Sequence, residues 1–210
     1  MKSIVIFVAL VALISIPVYG QAEDGVVEKD TSISSISRIG AFYVGMGTGL
    51  SIGSFRGDWG DMNMSWELGK NYQAKCGIRP LENLAFEVAG EYVFHFKANK
   101  TDDFENDIET KVNIWNITAN GKAMLPLSPD IDIYGILGIG YAGVKQELEA
   151  DGCNVVNKTE NDFWGCSGIG IQIKLTTIFA VEAEASYNMG LGDIDDFAYY
   201  SGWLNILAFL

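Results

Sequence analysis

The stretch NLAFEVAGEYVFHF, Asn83 to Phe96, alternates apolar and polar residues along its length. Leu84, Phe86, Val88, Tyr92, Phe94 and Phe96 fall on one parity, and Ala85, Glu87, Ala89, Glu91, Val93 and His95 on the other. A period of two is the mark of a β-strand with two unlike faces. In a soluble sheet the carboxylates face water and the aromatics a core. In a membrane barrel the faces are inverted, so that aromatics meet lipid and carboxylates point into the lumen.

The rest of the chain decides between these. Its 210 residues fit one domain with a core of useful size. Fourteen basic against 27 acidic residues exclude a nucleic-acid partner, whose phosphates need Lys and Arg. The same balance excludes electrostatic attachment to anionic lipid heads. Met1-Lys2 is a short basic start, and Ile4 to Val18 is apolar apart from Ser15 and Pro17. Small residues follow, so residues 1–22 read as a secretory signal peptide cleaved after Gly20 or Ala22. That run is shorter than the ~20 residues a spanning helix needs, and no later run reaches that length. A chain like this enters a membrane only as a barrel. Residues 23–37 are polar and aperiodic and read as a flexible periplasmic lead; the folded part is 38–210.

From Arg38 onward, strand-like runs alternate with two kinds of connection. RPLEN (79–83), LSPD (127–130) and LTT (175–177) are tight turns by their Pro, Asn, Asp and Thr content. SFRGDWGDMN, KTDDFENDIE, ELEADGCNVVNKTEND and GDIDDFAYYSG read as long, polar, mostly acidic loops. Short turns at one end and long loops at the other are the asymmetry of an outer-membrane barrel. Eight strands are expected, near 39–52, 64–78, 84–98, 110–125, 131–146, 164–175, 178–190 and 202–210. Most exceed the ~5–6 residues of a soluble strand and reach the ~9–11 that a tilted strand needs to cross a bilayer. The fold class is therefore all-β: an eight-stranded, antiparallel, up-and-down transmembrane β-barrel.

The parity answers which face meets lipid. Outward positions carry bulky apolar groups, while inward ones collect the acids Glu87, Glu91, Glu182 and Glu184 and the bases Lys75, Arg79, Lys122 and Lys174. An eight-stranded barrel is just wide enough inside for its own side chains. Four acids and four bases in such a tube pair with one another, which is what makes buried charge tolerable. The expectation is a polar, ionic network that fills the lumen; the alternative is a charge-lined conducting pore.

LPLSPDIDIYGILGIGYAGV (125–144), GIGIQIKLTTIFAVEAEASYN (168–188) and GAFYVGMGTGLS (40–51) resemble, in order and spacing, strands of the small outer-membrane β-barrel proteins of the OmpA/OmpX type, among them the opacity-type porin-family proteins. The resemblance covers nearly all of the chain after the signal peptide. It implies a Gram-negative outer-membrane location and no cofactor, but not one activity. The family usually ends on an aromatic residue that the barrel-assembly machinery reads. Here the end is WLNILAFL, with Leu210 in the place of the Phe.

Other candidates carry less chemistry. His95 is the sole histidine, and no Ser or Asp motif surrounds it, so neither a catalytic triad nor a histidine metal site is expected. Cys153 and Cys166 bracket the third long loop, and an oxidised pair there would restrict it by ~3 kcal/mol on the loop-entropy account. Cys76 lies on the outward parity. Asp102, Asp103, Glu105, Asp107 and Glu109, and likewise Asp193, Asp195 and Asp196, crowd the second and fourth loops as solvated acidic surface without calcium-loop spacing. Trp59, Phe104, Phe163, Trp164, Phe197, Tyr199 and Tyr200 read as an aromatic girdle at the outer interface.

The expected role is structural or surface-interactive and not enzymatic. Small-porin activity is the first alternative and lipid modification in the membrane the second. A soluble lipocalin-like binder is the most distant reading. The expected contacts are membrane lipid, lipopolysaccharide, the assembly machinery through the last strand, and an extracellular partner through the acidic loops.

Overall fold

In a computed structural model, residues 39–53, 65–66, 68–101, 107–150 and 153–210 are described. The segments read as a signal peptide and a polar lead, Trp59 and the Asp102–Glu105 run lie outside these residues. Among the described residues nine strands follow one another: β1 (Phe42–Gly53), β2 (Ser65–Trp66), β3 (Gly69–Leu81), β4 (Leu84–Thr101), β5 (Asp107–Ser128), β6 (Ile131–Ala150), β7 (Cys153–Lys174), β8 (Phe179–Gly190) and β9 (Ala198–Phe209). β2 is a two-residue patch on the far end of β4, where Ser65 and Trp66 face Asn99 and Ala98. The other eight form the wall.

Each wall strand pairs antiparallel with the next, and β9 returns to β1 from Tyr43 opposite Phe209 to Gly53 opposite Tyr199. The ring is closed, so within the bilayer no backbone edge is left without a partner. Alternation builds this wall: along β9 the odd residues from Tyr199 to Phe209 face in, while Leu204, Ile206 and Leu210 face out. The outward band of Met46, Ile117, Ile139, Ile169, Leu204 and Ile206 is the reverse of a soluble core.

The three short turns fall where the sequence places them, at Glu82–Asn83, at Pro129–Asp130 and between Leu175 and Phe179. In the last, the Thr176 hydroxyl accepts from the Phe179 N–H. The opposite end differs from expectation. β1, β8 and β9 have 12 residues each, whereas β5 and β7 have 22 and β6 has 20. ELEADGCNVVNKTEND is therefore not a loop. Leu148 pairs with Val156 and Gln146 with Lys158, so this segment continues β6 and β7 as a hairpin beyond the level where β8 ends. From Lys158 to Phe163 consecutive side chains are exposed or half-buried, so polarity there reflects water on both faces of a strand, not lack of structure.

A second difference lies at the top of β4. Val93 pairs with Ile114, but Phe96 pairs with Val112, so the register shifts between them. The irregularity resets the parity, because an added residue turns every later side chain to the other face. Phe96 is fully buried inside the barrel rather than facing lipid. His95 falls within this irregularity, and its side chain lies outside the described residues.

Candidate functional site: the filled lumen and the outer rim

Three levels of side chains occupy the barrel. At the short-turn mouth the Arg79 Nη1 lies 2.7 Å from the Asp132 carboxylate. The Arg79 Nε donates to the Glu82 carbonyl, 3.1 Å away. The Lys174 Nζ stands 3.4 Å from the same Asp132 and donates to the Pro129 carbonyl at 2.9 Å. Asp132 is the acid that the sequence reading missed. It lies two positions from Tyr134 and shares its inward parity, which is the signal that could have found it.

The middle level is the ionic cluster. β3 supplies Lys75, β4 Glu87, β5 Lys122, and β8 both Glu182 and Glu184. The Lys122 Nζ is 2.8 Å from Glu87, 2.9 Å from Glu182 and 3.8 Å from Glu184. Lys75 contacts Glu182 directly and stands 3.7 Å from Glu184 and 3.9 Å from Glu87. The two lysine side chains are 0% and 2% exposed, so each ammonium is held by carboxylates in place of water. Neutral groups satisfy remaining acceptors: Tyr43 donates to Glu87 at 3.0 Å, Tyr134 to Glu184 at 2.9 Å and Asn205 to Glu182 at 3.3 Å. Two glycines admit the tyrosines. A Cβ on Gly77 would fall 2.5 Å from the Tyr43 hydroxyl, and one on Gly170 2.3 Å from the Tyr134 ring. The Tyr134 ring also lies under the Lys122 ammonium, 4.4 Å from its centre.

Glu91 leads to the third level. Asn116 donates to Glu91 at 3.2 Å and to the Tyr199 hydroxyl at 3.0 Å. Tyr199 in turn belongs to an apolar plug of Val93, Phe96, Val112, Ile114, Ala142, Val144, Trp164, Ile194 and Phe197. The 3-10 turn Gly192–Ile194 lowers Ile194 into this plug from above. Asp162 on β7 anchors the turn by accepting from the Asp193 N–H at 2.7 Å. A second bond from the Phe163 N–H helps hold the Asp162 carboxyl below the usual carboxylate range, the Asp193 bond being the stronger cause.

Of the lumen residues read from sequence, Lys75, Glu87, Lys122, Glu182 and Glu184 therefore come together, Glu91 bonds to Asn116 above them, and Arg79 and Lys174 form their own cluster with Asp132. Two sequence expectations fail. Trp164, Phe197 and Tyr199 are not part of an interfacial girdle; they are buried in the plug, because they carry the inward parity of β7 and β9 or sit in the inserted loop. The girdle instead runs through outward residues in mutual contact. Tyr72 and Tyr92 pack on Phe94, Tyr141 on Trp115 and Phe163, and Tyr187 on Tyr200. Trp59 and Phe104 lie outside the described residues. Second, Cys153 and Cys166 do not bridge. Both lie on β7, thirteen positions apart along one extended strand, which places their Cα atoms about 40 Å apart. A disulfide needs about 5.5–6 Å. Cys166 is a free thiol facing Asn120, its Sγ 3.2 Å from the amide oxygen, and Cys76 is free on the lipid face.

A closed antiparallel ring, apolar outside and charged within, defines the class: a transmembrane β-barrel of eight strands. The chain matches the outer membrane protein beta-barrel domain over residues 7–202 and belongs to that family, which places it in the outer membrane. Among solved structures it is similar to Ail, the attachment invasion locus protein of Yersinia pestis, at 14% identity over 82% of this chain and 99% of that one, with a TM-score of 0.52. It is likewise similar to Neisserial surface protein A at 14% identity over 80% and 96%, with a TM-score of 0.55. At such identities the likeness speaks to fold alone. No curated protein matches the chain significantly by sequence.

Proposed function

We propose that this protein is a closed outer-membrane barrel whose task is interaction at the cell surface, rather than passage of solutes or catalysis. The observation that carries this reading is the filling of the lumen. An ionic cluster with its lysines out of contact with solvent sits beneath an apolar plug, and a solute or ion would have to displace both. Water in a tube of this width is replaced by paired charges that support the wall.

The surface offered outside is acidic. Asp193, Asp195 and Asp196 are exposed beside the raised sheet of β4 to β7. The Yersinia pestis barrel has been seen with a heparin analogue, sucrose octasulfate, which is a polyanion. A chain with 27 acidic against 14 basic residues fits the opposite partner, a cationic one. The signal peptide, export through the periplasm of a Gram-negative cell, and assembly through the C-terminal strand ending in Leu210 belong to the same reading, as do contacts with phospholipid and lipopolysaccharide.

The test is conductance of the refolded protein in a planar bilayer, with folding confirmed by the change of gel mobility on heating. A folded barrel without current is expected. Stable, repeatable current steps would overturn the reading in favour of a small porin.

A further inference from the structure

One row of the wall can be followed across the seam where β9 meets β1. Glu91 on β4 stands opposite Gln73 on β3, Gln73 opposite Gly47 on β1, Gly47 opposite Asn205 on β9, and Asn205 opposite Glu182 on β8. Residues paired in this way share one face of the sheet. Here it is the inner face, where Glu91, Gln73, Asn205 and Glu182 are between 0% and 8% exposed. Gly47 brings no side chain, so the row has a hollow at its centre. Asn205 leans over that hollow: a Cβ on Gly47 would strike the Asn205 Oδ1.

Three oxygens of this row have no hydrogen-bond donor among the described residues: Glu91 Oε1, Gln73 Oε1 and Asn205 Oδ1. A fourth, Asn71 Oδ1, lies two residues from Gln73 on the inward parity of β3. Buried acceptors grouped like this call for a positive partner. The neighbouring side chains do not provide one. The Glu91 Oε2 accepts from Asn116 at 3.2 Å, but no ion pair among the described residues reaches Glu91. Turning the Asn205 amide over would break its bond to Glu182, 3.3 Å long. Turning Gln73 over would serve Glu91 and leave Asn205 bare. A proton on Glu91 would serve Glu91 and Gln73 and again leave Asn205 bare. Charge points the same way. Glu87, Glu91, Glu182 and Glu184 are buried in the middle of the barrel against the ammoniums of Lys75 and Lys122 alone, so carboxylates are in excess there.

We propose that the hollow over Gly47 binds one hard monovalent cation of the size of Na⁺, held by the Glu91 carboxylate and the amide oxygens of Gln73 and Asn205, with Asn71 next along β3. An all-oxygen set selects a hard ion. One carboxylate among neutral amides, with the Lys75 ammonium two residues along the same face, suits a single charge better than a double one. The ion joins β4, β3, β1 and β9 from the inside and so ties the first strand of the ring to the last. It is a part of the lumen filling, not a passing solute. The inference stands apart from the surface-interaction reading, which the conductance test judges by itself.

The protein would be refolded into lipid vesicles at constant total salt, with tetramethylammonium chloride, whose cation is too large for the hollow, replaced stepwise by sodium chloride. Urea unfolding gives the folding constant at each step. In the wild type it is expected to rise about tenfold for each tenfold rise in sodium above the dissociation constant, as one bound ion requires. Glu91→Gln keeps the shape of the side chain and removes its charge, and Gln73→Met removes the amide oxygen. Each should fold, as shown by heat-modifiable mobility, and lose the sodium dependence. Equal folding constants in the two salts for the wild type would overturn the proposal and give the oxygens to buried water. An equal sodium response in the wild type and both variants would overturn it as a general salt effect. So would a carboxylic-acid band in the infrared spectrum of the wild type in sodium chloride that Glu91→Gln removes, because a proton would then stand in the place of the cation.

Discussion

Lys122→Met examines whether the lumen is held by paired charge. Methionine keeps the length of the side chain and removes its ammonium. The Lys122 Nζ lies 2.8 Å from Glu87 and 2.9 Å from Glu182. At an effective dielectric of about 20, each such pair is worth about 6 kcal/mol of attraction. Desolvation of the ions, several kcal/mol each, offsets much of this. Removing one partner does not recover the offset, because Glu87, Glu182 and Glu184 remain buried with Lys75 as their one ammonium. The net loss is expected to be about 3–5 kcal/mol. The assay is urea unfolding in lipid vesicles, followed by tryptophan fluorescence and by gel mobility. Glu182→Gln alone and in combination with Lys122→Met completes a cycle, and the double variant should lie closer to the wild type than the two single losses add up to, by about 0.5–3 kcal/mol. A folded Lys122→Met protein within about 1 kcal/mol of the wild type would refute the reasoning. It would mean that water, not Lys122, solvates the carboxylates, and that the lumen is wet.

Phe96→Ala should lose about 3–5 kcal/mol, as for a truncated core aromatic, while the lipid-facing Ile139→Ala loses less because lipid refills the space; the same unfolding assay compares them. Alkylation of the denatured, unreduced protein should label all three cysteines, since Cys153 and Cys166 stand too far apart to bridge; mass spectrometry reads the adducts. The Asp162 carboxyl is held below its usual range by the Asp193 and Phe163 N–H groups. Its contribution is therefore full above the ordinary Asp value of about 3.9 and fades as pH falls through the lowered one. The stability difference between wild type and Asp162→Ala should be constant at neutral pH and shrink only in strong acid, as read from urea midpoints across pH.

Much of this was legible in the chain. The signal for a barrel was alternation in runs too long for a soluble sheet, and local chemistry carries that signal. Each strand must offer one face to lipid and one to a narrow lumen, so the identity of Lys75, Glu87, Lys122, Glu182 and Glu184 as inward residues follows from parity alone. The turns at Asn83, Asp130 and Thr176 were legible for the same reason, since turn chemistry is local. What parity does not contain is a change of parity. The register shift before Phe96 turns Phe96 from the lipid side to the lumen, and it arises from how β4 and β5 settle against one another.

Nor could the sequence separate polarity of a loop from polarity of a strand with water on both sides. This is why the hairpin of β6 and β7 read as a loop and the two cysteines on β7 as its closing pair. The plug of Phe96, Trp164, Ile194 and Tyr199 joins β4, β7, β9 and an inserted turn that are far apart in the chain. Only closure of the ring brings them to one place. The pattern of side chains along each strand therefore determined what faces lipid and what faces the lumen, whereas tertiary structure decided which charges meet and where the tube is stopped, because these depend on register and strand height across the whole ring.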